Sequence, residues 1–313
     1  YGNEVGVGRA IADADVPRAD VARLNYGNFI GALAEQQGHQ APLMAEAAGI
    51  RAPATRYESA CASAGVAVRE AVRTIRAGDA DVVLAGGMER MTNLETPAVT
   101  EGLAMAADDL FEVHAGVTFP GAYALLARAY FEAHGGTRRD LAHVAVKNHA
   151  NAVPNEYAQF RDPISVRDAL DAPPVADPLH LYDACPITDG ASAIVLVSAS
   201  YAADNDIDAP VAVTGAGQGS DRMALADRAD LTRTPAAVAA AETAYDAAGV
   251  EPDDVDLAEV HDCFTIAEVL AIESLGLAEP GAGVAAARDG VTTADGDTPV
   301  NLSGGLKAKG HPV

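Results

Sequence analysis

Lysine is nearly missing from this chain. Lys147, Lys307 and Lys309 are the only lysines among 21 basic residues, which face 45 acidic ones, for a formal net charge of −24. A surface of that sign disfavours nucleic acid and anionic membrane as partners. Tryptophan is absent and aromatics make up 5%. The three cysteines, Cys61, Cys185 and Cys263, are scattered and odd in number. That argues against a disulfide framework and for a reducing, cytoplasmic setting. No run of eighteen apolar residues and no charged-then-apolar leader occurs, so a soluble, unexported protein is expected.

What is present is apolar enough to bury a large core. With 313 residues and 49% hydrophobic content, the chain should form two domains or more. Aspartate-rich turns such as Asp253-Asp254-Val255-Asp256 decorate it. An acidic, lysine-poor surface resembles those of proteins from salt-loving archaea. In molar salt a Debye length of about 3 Å screens the self-repulsion that would otherwise oppose compaction.

The chain opens at Gly6–Ala14 as the end of a helix, and 20–28 reads as a strand ending in a turn. A helix follows over 39–48. The pattern is clearest from Thr55 to Gly78. Thr55–Glu58 reads as a strand, and Val68, Val72 and Ile75 then mark one apolar helix face, with Gly78 as the stop. A strand at 81–85, closed by Gly86-Gly87-Met88, completes a βαβ unit. Cys61 falls where strand meets helix, and the helix N-terminus there should favour thiolate over thiol. A free cysteine at such a junction is otherwise a small buried hydrophobe. From about residue 92 to 189 the alternation breaks into helical patches (123–133, 139–148) and irregular pieces, as in an inserted cover. The apolar run 191–197 predicts a buried strand rejoining the first sheet. The organisation expected is thus 1–91 completed by 190–205, an insertion over 92–189, and a second α/β half over 206–313. VPRADVARLNYGNF from Val16 aligns with VEPDDVDLAEVHDCF from Val250, and Pro299–Leu302 should be a strand before the turn that carries His311.

Three stretches converge on chemistry: SACASAG around Cys61, EVHDCFTIAE with His261 and Cys263, and NLSGGLKAKGHP with His311. In this order and spacing they closely resemble the thiolase family. The match is best to its sterol-carrier-protein and archaeal acetoacetyl-CoA branch. Further texture of the family lies in GGMERM (86–91), VKNHANAVPNEYAQF (146–160) and CPITDGASAIVLV (185–197). Other candidates read as ordinary. Cys185 is taken as structural, His39, His134 and His180 as loop histidines, and His143 and His149 lie six apart, off the spacing of helical metal-ligand pairs. The glycines at 215, 217 and 219 do not fit a dinucleotide loop.

The resemblance implies a five-layered α/β/α/β/α thiolase fold of two similar halves, with the insertion as the loop domain that receives coenzyme A. It implies a nucleophile at Cys61, a proton acceptor and thioester-oxygen donor at His311, an oxyanion donor at His261, and an α-proton acid/base at Cys263. No bound cofactor is implied beyond the acyl-CoA substrates. A homodimer, a small zinc-ribbon/OB-fold subunit and a hydroxymethylglutaryl-CoA synthase are the implied partners. By comparison with that pattern the chain is expected to lack the family's first strand and its C-terminal helix, strands and glycine loop. Two alternatives stand beside this reading: a decarboxylating ketoacyl synthase, and a non-catalytic acyl-CoA-binding subunit. Cys263 speaks against the first, which has no α-proton to abstract.

Overall fold

A computed structural model describes residues 2–312. The chain divides into two units. Among the described residues, one comprises 2–102, 188–216 and 312, and the other 103–187 and 217–311. Six strands are assigned among the described residues: β1 (Arg23–Gly27), β2 (Ala54–Tyr57), β3 (Val82–Glu89), β4 (Pro174–Ala176), β5 (Leu179–His180) and β6 (Gly190–Val197).

The first unit is built on one sheet of order β2-β1-β3-β6. β1 runs parallel to both β2 and β3, so the β2–helix–β3 segment crosses over β1. The alternation of side chains along a strand divides β3 between two cores. Val82 and Leu84 pack with Val7, Ile11, Leu24, Tyr26 and Met44 on one face. Val83 and Ala85 meet Ala71, Val68 and Ile75 of the Ser63–Arg76 helix on the other. That helix ends with Arg73 and Arg76 in its last turn, where cations suit the dipole, and Gly78 follows at φ 76°. It lies so close to β1 that a Cβ on Gly27 would come within 2.5 Å of the Ala64 backbone. Buried Asn25 adds a bond from its side-chain amide to the Ala67 carbonyl, 3.0 Å. Strand and helix are thereby fixed at the point where the chain passes Cys61.

In this unit two details differ from expectation. Gly86-Gly87-Met88 does not close its strand: β3 continues to Glu89, because β6 pairs with it in register from Val82↔Val197 to Glu89↔Gly190. β6 rejoins the sheet, but as an antiparallel edge strand in which Ile194 is 42% exposed, rather than as a buried strand. An apolar run alone does not distinguish edge from centre.

The second unit is mainly helical. Helices Phe119–His134, Arg138–Ala152 and Thr265–Ser274 enclose Leu126, Tyr130, Leu141, Val144, Ile266 and Val269. A capping box of Thr137 with Asp140 starts the second of these helices. β4 and β5 pair antiparallel. His134 ends a helix and His180 lies in β5, so neither is a loop residue, whereas His39 directly precedes the Gln40–Ala47 helix. Gly217 and Gly219 serve packing, since any Cβ there would run into carbonyls of the Pro235–Ala248 helix.

The strand expected at Pro299–Leu302 is only a single parallel bridge, Ala258↔Val300. Side chains take the backbone positions a longer ladder would use. Lys147 Nζ donates to the Val300 carbonyl (2.8 Å), Asn151 Nδ2 to that of Asn301 (3.0 Å), and Val260 N–H donates to Asn301 Oδ1 (2.8 Å).

Candidate active site

Cys61 sits in a turn of the first unit, two residues before its helix begins. Ala60 is held at φ 47°, a left-handed conformation a non-glycine residue rarely adopts. Buried Ser63 holds it there: its hydroxyl donates to the Ala60 carbonyl (2.6 Å) and accepts from Ser59 N–H (2.9 Å). Cys61 is exposed by area. Protein atoms nevertheless crowd its sulfur. That desolvation, with a smaller contribution from the Glu89 charge, pushes the thiol up to about 11 against the lowering effect of its own backbone N–H. Burial thus opposes the thiolate expected at this junction. Removing water from a small anion costs more than one partial charge returns.

Glu89 carries no signal of its own within GGMERM, yet it is placed beside the cysteine turn. It is 1% exposed and accepts from Asn28 Nδ2 and Phe29 N–H, each at 2.8 Å. Arg56 closes the same cluster by donating to the Phe29 carbonyl, 2.8 Å. Burial pushes the Glu89 carboxyl up to about 7, opposed by those hydrogen bonds and by Arg56.

His261, Cys263 and His311 all lie in the second unit. The two imidazoles stand edge to face, centroids 5.0 Å apart and planes at 80°. Burial lowers His261 to about 4. Burial, then the neighbouring His261 and Lys309, lowers His311 to about 3. Both rings are therefore neutral near pH 7, each able to donate from one nitrogen and accept at the other. Cys263, 5% exposed, joins the apolar cluster, and its carbonyl accepts from Cys185 N–H (2.9 Å). Cys185 is half-buried and packs on the same cluster, as a structural cysteine would.

Behind these residues lies a polar network that sequence reasoning missed. Lys147 pairs with Glu268 at 2.7 Å, with both side chains nearly inaccessible. Asn148 Nδ2 donates to Asp262 (2.7 Å) and to Glu268 (2.8 Å), and Asn301 Nδ2 also donates to Glu268 (2.8 Å). Asp262 takes Leu306 N–H at 2.6 Å, at the start of the short Gly305–Lys309 helix that leads into His311. Gly304 at φ 101° and Gly305 at φ 59° make the turn before it, and a Cβ on Gly304 would fall 2.6 Å from Ala152 Cβ. The one local signal for this network is Glu268 inside the mostly apolar Thr265–Ser274 helix.

The same unit carries a partly open cleft of about 110 Å³, lined by Phe119, Tyr123, Leu126, Met223, Leu225 and Arg228 among others. Tyr123 stacks on Phe264, centroids 4.6 Å apart, and so joins the cleft wall to the residue after Cys263.

Comparison with known proteins bears on the identity of this arrangement. Residues 3–200 match the family profile "Thiolase, N-terminal domain" and residues 217–313 match "Thiolase C-terminal domain-like". An acetyl-CoA acetyltransferase of Methanothermobacter thermautotrophicus is 46% identical over 311 residues, 99% of this chain and 80% of that protein. Sterol carrier protein 2 of Homo sapiens is 27% identical, over 97% of this chain and 57% of its own. Among solved structures, "Ltp2-ChsH2(DUF35) aldolase" superposes with a TM-score of 0.84 at 27% identity, covering 98% of this chain and 80% of that one. The chain belongs to the thiolase family.

Proposed function

We propose that the protein is an acetyl-CoA C-acetyltransferase that joins two acetyl-CoA molecules into acetoacetyl-CoA and runs the reverse thiolysis. The observation that supports this most is the pair of edge-to-face, neutral histidines with Cys263 two residues beyond one of them. In this reading the Cys61 thiol passes its proton to His311, and the sulfur attacks the acetyl-CoA carbonyl. Coenzyme A leaves as the thiol, carrying that proton. A second acetyl-CoA then loses an α-proton to the Cys263 thiolate, its enolate oxygen held by N–H from His261. The carbanion attacks the acetyl group on Cys61, the C–S bond breaks to release acetoacetyl-CoA, and the expelled Cys61 thiolate takes up the proton that Cys263 removed, which restores both sulfurs. Neutral imidazoles have a ring nitrogen free to accept the thiol proton.

Further points belong to the same reading. The cleft beside Phe119 and Tyr123 suits the pantetheine arm, with Arg228 for phosphate. The similar aldolase carries a second named component, ChsH2(DUF35). On that ground we extend the proposal to a small zinc-ribbon/OB-fold partner subunit, alongside a homodimer and contact with a hydroxymethylglutaryl-CoA synthase. The domain organisation proposed is 1–91 with 190–205, 92–189 and 206–313.

The test of the chemistry is solvent exchange of the acetyl-CoA α-protons. Cys263→Ala should still be acetylated at Cys61, while exchange and condensation fall together by about 10² to 10⁴. A folded variant exchanging at the wild-type rate would remove Cys263 from the role and point to a packing residue instead.

A further inference from the structure

We infer that Asp262 is a positioning residue: it clamps the Gly304–Lys309 turn to the His261–Cys263 segment and thereby sets the spacing and angle of the His261 and His311 rings. Only the kinetic part of the test below rests on the function proposed above.

Donors and acceptors carry this inference. Asp262 has no exposed surface. Its carboxylate accepts from Leu306 N–H (2.6 Å), Lys307 N–H (3.3 Å) and Asn148 Nδ2 (2.7 Å). All three partners are donors, so only an acceptor at both oxygens satisfies the site. The Asn148 amide cannot turn to accommodate a change, because it also donates to Glu268 at 2.8 Å. Glu268 in turn takes Asn301 Nδ2 (2.8 Å), and Asn301 Oδ1 accepts from Val260 N–H (2.8 Å), directly before His261. A closed circuit of buried hydrogen bonds thus runs from the backbone entering His261, through Asn301, Glu268, Asn148 and Asp262, to the helix that ends two residues before His311. Gly305 belongs to this circuit sterically, since any side chain there would collide with the Asp262 carboxylate. The far side of the turn is held separately, by Phe160 N–H to the Ala308 carbonyl (2.9 Å) and Gln159 N–H to that of Lys309 (3.0 Å). His311 itself bridges to Ile187, and Asp262, next to His261 in the chain, holds the start of the helix that precedes His311.

The charges around it make the clamp sensitive to pH. Asp262 faces Glu268 from the helix that follows it, Lys147 and Asn148 from the Arg138–Ala152 helix, and Lys307 from the turn before His311. Burial, then the Glu268 charge, pushes Asp262 up to about 7, against the helix N–H bonds and Lys147. Protonation puts a donor among donors, as an amide would.

The test is Asp262→Asn in the full-length protein, followed by nuclear magnetic resonance of labelled histidine rings and by steady-state kinetics. The His261 and His311 ring signals should shift, while those of His39, His114 and His180 stay in place. The kcat should fall about 10²-fold, the scale of a misplaced reacting group, with KM changed less than about threefold. Wild-type kcat should fall as pH drops through about 7, a limb that His261 and His311, titrating at about 4 and about 3, do not produce. Asp262→Asn should lack that limb. A limb that survives there and disappears in Glu89→Gln would assign it to Glu89 and overturn the pH part. Should Asp262→Asn not fold, Asn148→Ala removes one arm of the clamp and should move the same two ring signals by less. Unmoved ring signals with wild-type kcat in a folded variant would overturn the inference. If the wild type transfers no acetyl group yet the ring signals shift, the proposed function fails and the positioning role stands.

Discussion

Cys61 shows how two local effects compete at a single side chain. The helix beginning at Ser63 offers its positive end, and the crowding around the sulfur removes water. With the thiol pushed up to about 11, the free protein holds Cys61 protonated at neutral pH. Alkylation by iodoacetamide follows the thiolate fraction, which rises about tenfold per pH unit below the pKa. The rate at Cys61, followed by peptide mass spectrometry, should therefore climb about 100-fold between pH 7 and pH 9. A rate flat over that interval would mean that the helix terminus governs the thiol after all. Ser63 belongs at this scale too, because its hydroxyl, and no residue's propensity, holds Ala60 at its positive φ.

At the scale of elements, the two units draw on different resources. The β2–helix–β3 segment rests on side-chain alternation and on a helix of small residues laid against Gly27. The turn before His311 rests instead on buried charge. Lys147 and Glu268 are paired at 2.7 Å in an interior where removing one partner leaves the other uncompensated. Lys147→Met should thus lower stability by about 3 to 5 kcal/mol in urea unfolding, the range for breaking such a pair. A loss under about 1 kcal/mol would mean that Asn148 and Asn301 carry Glu268 unaided. This contrast explains what the sequence made legible. Val68, Val72 and Ile75 recur at helical spacing, and the strands flanking them have β-branched residues, so the segment around Cys61 could be read locally. The Asp262–Asn148–Glu268–Lys147 network could not. Its members come from separated stretches and are polar residues with no period of their own. Glu89 was visible only as part of a motif, because its burial depends on Asn28 and Arg56 from elsewhere in the sheet. The extended segments near Ala258 and Val300 read as strands by pattern, but side chains from a neighbouring helix intercept their backbone groups.

At the scale of the whole molecule, the net charge of −24 governs how stability responds to salt. The ion pairs on its surface, such as Arg167 with Asp171, are exposed and contribute little. What remains is repulsion among carboxylates, screened within about 3 Å at molar salt and reaching about 10 Å at 0.1 M. The melting temperature should accordingly fall as KCl is lowered from about 2 M to about 0.1 M. A melting temperature independent of salt would show that the acidic surface is no adaptation to brine, and would leave the chemistry untouched.

The proposed chemistry turns on one covalent event, the transfer of an acetyl group from acetyl-CoA to Cys61. Intact-mass spectrometry of the full-length protein mixed with acetyl-CoA, followed by peptide mapping, reads it directly. The expected result is one acetyl group per chain, located on Cys61, released when coenzyme A is added back, and absent from Cys61→Ala. A wild-type protein that takes up no acetyl group, or a Cys61→Ala variant that takes up as much as the wild type, would contradict it.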